Sequence, residues 1–198
     1  MAICFKMKLL LLFGSLLLLS VAQAQLNVPD ALAREINSIC RPSEYSITEL
    51  SAGGQVDTQG SFLLIACNVQ NQEKRFAYSG RVNSCRAGGC SSGGAVGGAD
   101  AFEYFDYYII FDDSIQVLHV KVFNYQASHG QEITARGWLK QFRGYDGSRL
   151  MEVGKQIDAI SGATISVNAI TDDIKLRTKQ LKALLLDQAM SKSASLAH

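Results

Sequence analysis

Between positions 161 and 166 the chain reads Ser161-Gly162-Ala163-Thr164-Ile165-Ser166, three hydroxyls around one glycine directly ahead of a long helical pattern. The first turn of a helix offers backbone N–H groups without intrahelical partners and the positive end of the macrodipole. Such a segment suits a phosphate or another anion. Gly162 permits a positive φ or a close approach of backbone to ligand, and Ala163 leaves that approach unobstructed. Asp158 stands just upstream. A simpler role also satisfies these residues, with Ser161 or Thr164 as a helix cap and Gly162 as a turn residue.

Four cysteines follow the first two dozen residues: Cys40, Cys67, Cys85 and Cys90. An even number in an exported chain reads as two disulfides, for which three pairings exist. Cys85 and Cys90 are close enough in sequence to pair locally, which leaves Cys40 with Cys67. A Cys85–Cys90 bond could pin its glycine-rich loop or exchange electrons with a neighbouring cofactor. Zinc is disfavoured, because the spacings form no paired C-x2-C knuckles. Gly89-Cys90-Ser91-Ser92-Gly93 matches the G-x-S-x-G of a hydrolase elbow, but Gly94-Ala95-Val96-Gly97-Gly98 after it cannot start the helix that an elbow requires. No G-x-G-x-x-G, Walker A or H-E-x-x-H occurs.

The elements that must position these residues read as α+β. Val28, Leu32, Ile36 and Ile39 recur at helical spacing within Pro29 to Cys40. Ser61 to Val69 is an apolar run of strand length, with Arg75 to Val82 as its partner. Cys85 to Asp100 holds six glycines in sixteen residues and reads as a loop. Phe102 to Phe111 and Ser114 to Tyr125 form an antiparallel hairpin about Asp112-Asp113. In its second strand Ile115, Val117, His119, Lys121 and Phe123 share one face, and Gln116, Leu118, Val120, Val122 and Asn124 the other. Trp138 to Phe142 reads as a brief helix and Met151 to Ile157 as a short strand leading into the hydroxyl segment. Val167, Ile170, Ile174, Leu181, Leu184 and Leu185 then mark an amphipathic helix of about 20 residues, packed on the sheet through one face. Asp172 and Asp173 fit its early turns as solvated, dipole-compatible acids. The expectation is a single domain: an antiparallel sheet with a long C-terminal amphipathic helix following the hydroxyl loop.

Residues 1–24 read as a signal peptide. Lys6 and Lys8 precede an apolar run from Leu9 to Val21, and Ala22-Gln23-Ala24 supplies the cleavage pattern. The run is shorter than the ~20 residues a spanning helix needs, and no cysteine follows the cleavage point to carry a lipid anchor. The expected place of work is therefore periplasmic or secreted, without a direct membrane anchor. Without the leader, 17 basic residues stand against 18 acidic ones, which argues against nucleic acid as a partner.

Asp158-Ala159-Ile160-Ser161-Gly162-Ala163-Thr164 closely resembles the Asp-x-x-Ser-Gly-Ala-Thr signature of the covalent FMN-binding domain. That domain occurs in periplasmic flavin-bearing subunits of the sodium-pumping NADH:quinone oxidoreductase and of its ferredoxin-linked relative, and in flavinylated extracytoplasmic reductases. The resemblance implies FMN held by a phosphoester on Thr164, installed from FAD by a flavin transferase. It assigns Asp158, Ser161, Gly162 and Ala163 to the attachment turn. It extends over Tyr78 to Leu186, so that 25–77 form an N-terminal helix and strand region, 78–190 the FMN-binding domain and 191–198 a flexible tail. His129 to Gly144 resembles the family's Glu-Thr-x-Gly region, here with Glu132-Ile133-Thr134. His129, Glu132 and Trp138 are thereby candidate flavin contacts, His129 as a hydrogen-bond donor and Trp138 as a stacking surface. The implied function is an electron-transfer flavoprotein or oxidoreductase component whose redox partner is another protein, one that a membrane could hold. Two other readings compete: a protein that binds FMN non-covalently, and a disulfide-stabilised exported binding protein without flavin.

Overall fold

Along the strand Phe102–Phe111 (β4), Phe105, Tyr107, Ile109 and Phe111 alternate with Tyr108 and Ile110, and all six are fully buried. A strand apolar on both sides needs a layer on each face of its sheet. The computed structural model describes residue 26 and residues 28–40, 45–50, 59–67, 74–86 and 102–195. The leader, Cys90, the side chain of Cys85 and the segment 89–93 lie outside the described residues, and with them the Cys85–Cys90 pairing and the elbow match.

The sheet is a five-stranded antiparallel meander in chain order: Tyr45–Leu50 (β1), Gly60–Cys67 (β2), Lys74–Arg86 (β3), β4 and Val117–Gln126 (β5). One face carries Asp30–Ile39 (α1). Its Ala31, Leu32 and Ile36 pack with Leu63, Ile65, Ala77, Tyr108 and Ile110. A Cys40–Cys67 disulfide ties the end of α1 to β2, the pairing expected for these two residues. The other face carries Thr164–Ser195 (α3), whose Val167, Ile170, Ile174, Leu181 and Leu184 join Phe76, Tyr78, Phe105, Tyr107, Ile109 and Phe111 in one core. The fold is α+β, as the sequence implies.

Four features depart from the sequence reading. The edge strand β1 was not anticipated, because five of its six residues are exposed or half-buried and only Leu50 is buried. The simple alternation in β5 is broken by irregular register between Ile110 and Phe111 and between Asp106 and Tyr107. Each bulge adds one residue and inverts the pattern, so Val117, Val120 and Val122 share the α3 face while Leu118 and Phe123 pack toward α1. Met151 to Ile157 is not a strand. Gly154 at φ +83° and hydrogen bonds onto the Glu152 carbonyl turn it back on itself, leaving one Val153–Ile157 bridge and buried Met151 and Ile157. Finally, α3 runs past Met190 to Ser195, into the segment expected to be a flexible tail. No Gly or Pro interrupts it there, and Ser191 and Ser193 donate to the carbonyls of Asp187 and Met190. Among the described residues no helix is long and apolar enough to cross a membrane.

On the α1 face, the half-buried His119 ring stacks on Tyr108 with centroids 5.8 Å apart. Burial lowers the imidazole from its ordinary value. Glu35 opposes this, and Arg136, Arg143 and Lys121 add to it. The unfolded chain therefore binds this proton more tightly than the native one, and stability present above about pH 6.5 is lost as pH falls below it. Urea midpoints between pH 8 and pH 5 should drop more steeply for the wild type than for His119→Phe, which keeps the stacking. Parallel curves would remove His119 as the cause.

Candidate functional site

The hydroxyl segment is held at its upstream end by two backbone clamps. The Asp158 N–H donates to Gln141 Oε1 at 2.8 Å, and the Asp158 carbonyl accepts from Trp138 Nε1 at 2.9 Å. Both donor and acceptor side chains come from the short helices Arg136–Leu139 (α2) and Lys140–Phe142, where Phe142 is fully buried and meets Trp138 edge-on at 5.3 Å. The chain then turns sharply. Ala163 N–H donates to the Ile160 carbonyl at 3.1 Å, and Gly162 sits at φ +80°. With Ser161 at the first corner and a positive-φ glycine at the second, this is a type II turn, which explains why glycine stands there.

Downstream, the first α-helical bond runs from Val167 N–H to the Ala163 carbonyl at 2.9 Å. Ala163 is therefore the N-cap and Thr164 the first helical residue, so neither Ser161 nor Thr164 caps the helix. The N–H groups of Thr164, Ile165 and Ser166 precede the ladder. Ala163 is 2 % exposed and anchors the turn in the core, while Ser161, Gly162 and Thr164 face solvent. What the turn presents outward is two hydroxyls, an open glycine backbone and the positive end of a 32-residue helix.

Ser166 behaves differently from its neighbours. It is 2 % exposed and lies within 2.8 Å of Ser84 Oγ and 3.0 Å of the Tyr125 hydroxyl, which in turn donates to the His129 carbonyl. A carbonyl can only accept, and each hydroxyl has one proton. Tyr125 therefore spends its proton on His129, Ser166 donates to Tyr125, and Ser84 donates to Ser166. Burial raises the Tyr125 phenol above its ordinary value, and the bond from Ser166 opposes that shift, as a donor to the phenol oxygen should. Gly130, at φ +90°, closes over this pair: a Cβ there would lie 2.8 Å from Ser166 Oγ.

The remaining candidates have different roles. His129 is exposed, and its carbonyl accepts from the Tyr125 hydroxyl. Glu132 is exposed in a 3-10 turn, Gln131–Thr134, whose Ile133 is fully buried. That inward position explains why an isoleucine separates Glu132 from Thr134. The indole N–H of half-buried Trp138 is committed to the Asp158 carbonyl. Asp158 holds the loop through its backbone, with its side chain exposed. Asp172 is solvated and paired with Lys175 at 2.7 Å, but Asp173 is not. It accepts from the Tyr107 hydroxyl at 2.6 Å and pairs with Arg177 at 3.1 Å beneath α3. Burial pushes the Asp173 carboxyl up to about 6 against the Tyr107 hydrogen bond, and burial brings Arg177 down to about 10. Sequence reasoning missed Ser84, Tyr125, Gly130 and Gln141. Among the described residues no group of His, Cys, Asp or Glu could hold a metal ion.

Residues 104–176 match the family model described as the FMN-binding domain, from β4 through the Ser161-Gly162 turn and well into α3. This match supports a flavin-binding protein with FMN as its flavin. No curated protein and no solved structure matches the chain. The FMN-binding domain match begins in β4, so α1, β1, β2, β3 and the Cys40–Cys67 bond lie ahead of it.

At Gly162, within the matched stretch, open space surrounds the place where a Cβ would stand, so a substitution there meets backbone strain rather than a clash. Gly162→Ala should cost on the order of 1–2 kcal/mol through its positive φ alone. Urea denaturation measures it, and an unchanged midpoint would contradict the type II assignment.

Proposed function

We propose that this chain is an exported flavoprotein that carries FMN on Thr164 through a phosphoester and serves extracytoplasmic electron transfer. The observation that carries this reading is the exposed Thr164 hydroxyl on the first turn of α3, inside the matched domain and directly after the Ser161-Gly162 turn. The donor set fits a phosphate. Three backbone N–H groups ahead of the helical ladder and the positive helix end favour its charge, and Gly162 leaves the backbone open to it. Ser166 is unsuited to attachment because it is buried and both of its neighbours engage it. Thr164 and Ser161 are the exposed hydroxyls of the turn, and the Asp158 to Thr164 signature favours Thr164.

Loading requires FAD and a flavin transferase as a partner. Thr164 Oγ attacks the phosphorus on the FMN side of FAD, an Oγ–P bond forms, the pyrophosphate P–O bond breaks and AMP leaves. The hydroxyl proton passes to a base of the transferase. Once bound, the flavin supplies one- or two-electron chemistry, and the chain supplies tether, orientation and electrostatics. Asp158 and Trp138 hold the loop, while exposed His129 and Glu132 are the polar side chains available at the flanking turn. The leader at 1–24 supports export, and outside the cytoplasm a covalent tether prevents loss of a cofactor that could not readily be regained. The redox partner is a separate protein.

Co-expression with a flavin transferase tests this directly. The wild type should gain one FMN less water in intact mass and keep in-gel fluorescence after denaturation. Thr164→Val should lose the adduct and remain folded, with a stability change of about 1 kcal/mol or less. Full covalent mass in Thr164→Val would move the attachment to Ser161. Colour lost on denaturation of the wild type would make the flavin non-covalent.

A further inference from the structure

We propose that Ser166 and Tyr125 are positioning residues for flavin loading: the hydroxyl chain Ser84–Ser166–Tyr125–His129 carbonyl fixes the rotation of the first turn of α3 and so aims the Thr164 hydroxyl at the phosphorus it attacks. This rests on the reading of Thr164 as the attachment residue.

Thr164 and Ser166 are two positions apart, about 200° around the helix axis, so one faces solvent when the other faces the core. The apolar stripe of α3 begins only at Val167, and helical bonding begins at its N–H. The turn bearing Thr164 is thus the part of α3 with neither ladder bonds from its own N–H groups nor a buried aliphatic side chain beyond Ala163, the ordinary condition for fraying. Ser166 supplies the missing restraint. It joins this turn to β3 through Ser84 and to β5 through Tyr125, residues 82 and 41 positions away in sequence. The proton order ends on a carbonyl and runs one way only, so no hydroxyl of the chain can turn away without leaving its neighbour unsatisfied. Gly130 lies against both hydroxyls: a Cβ on it would stand 2.8 Å from Ser166 Oγ and 3.0 Å from the Tyr125 hydroxyl, so only glycine lets the backbone approach the pair this closely. The same chain holds the His129 backbone against the attachment turn, so the two flanks of the site move together.

Phosphoryl transfer demands in-line placement of the attacking oxygen, and a small misplacement is costly in rate while recognition of the exposed turn is untouched. With purified full-length protein, FAD and a flavin transferase, Tyr125→Phe and Ser166→Ala should lower the adduct-forming rate at saturating acceptor by about tenfold or more, with KM for the acceptor protein nearly unchanged. Their effects should be far less than additive in the double variant, because either change breaks the one chain. Ile174→Val, buried further along α3, controls for lost stability and should load at the wild-type rate. Should Ser166→Ala fail to fold, Tyr125→Phe decides alone. Wild-type loading rates in folded Tyr125→Phe, or effects that simply add, overturn the proposal. A wild type that never takes a covalent flavin overturns the Thr164 reading and this inference with it.

Discussion

Val167, Ile170, Ile174, Leu181 and Leu184 lock α3 to one face of the sheet along a single stripe, and that register decides what every residue at its start can do. Each such side chain contributes roughly 1.5–3 kcal/mol on burial. The helix can therefore neither rotate nor slide by a residue without exposing several of them. With the stripe fixed, Ser166 must point into the fold and Thr164 out of it. The division between an inward serine and an outward threonine follows from packing, since the two hydroxyls are chemically alike.

Burial of polar groups sharpens the register further. Tyr107 donates to Asp173, Asp173 pairs with Arg177, and the Arg177 guanidinium lies 4.5 Å over the Tyr78 ring. At 3 % and 12 % side-chain exposure, Arg177 and Asp173 lose much of their hydration, so the pair contributes little net stability. Its effect is on uniqueness: both charges turn with α3, so a rotated helix would carry Asp173 away from the Tyr107 hydroxyl and Arg177 away from the Tyr78 ring. The same logic runs at smaller scale through the hydroxyl chain at the helix start. The long apolar stripe supplies affinity of helix for sheet, and two polar devices along it specify a single rotation.

The four strands β2 to β5, the helices α1 and α3 and the hydroxyl turn were legible because each depends on local pattern. Apolar spacing marks α1 and α3, aromatic and β-branched runs mark β4 and β5, and Ser161-Gly162 before a helical stripe marks a turn. What escaped depends on contacts distant in sequence. Nothing near Ser166 reveals that its partners are Ser84 and Tyr125. Asp173 reads as a surface acid until Tyr107, on another element, is known to cover it. The bulges in β5 shift its faces by one residue at a time, and no composition signal separates Val117 from Leu118. The polar edge strand β1 is quiet for a different reason: an edge strand that buries one residue carries almost no hydrophobic signature.

The two faces of the sheet also divide the labour. On one, α1 is held by packing, by a 3.2 Å hydrogen bond from Tyr108 to Glu35 and by the Cys40–Cys67 bond, all outside the Ser161-Gly162 turn. A disulfide acts chiefly by restricting the unfolded chain, so it can stabilise the sheet without touching the geometry of the opposite face. That separation matters under the proposed tether on Thr164. On that proposal the turn stays open to a transferase and then to a redox partner, so it cannot be stabilised by being covered. Rigidity has to reach it from below, through Ala163, Ser166 and the Asp158 clamps, while the α1 face secures the sheet on which all of them rest.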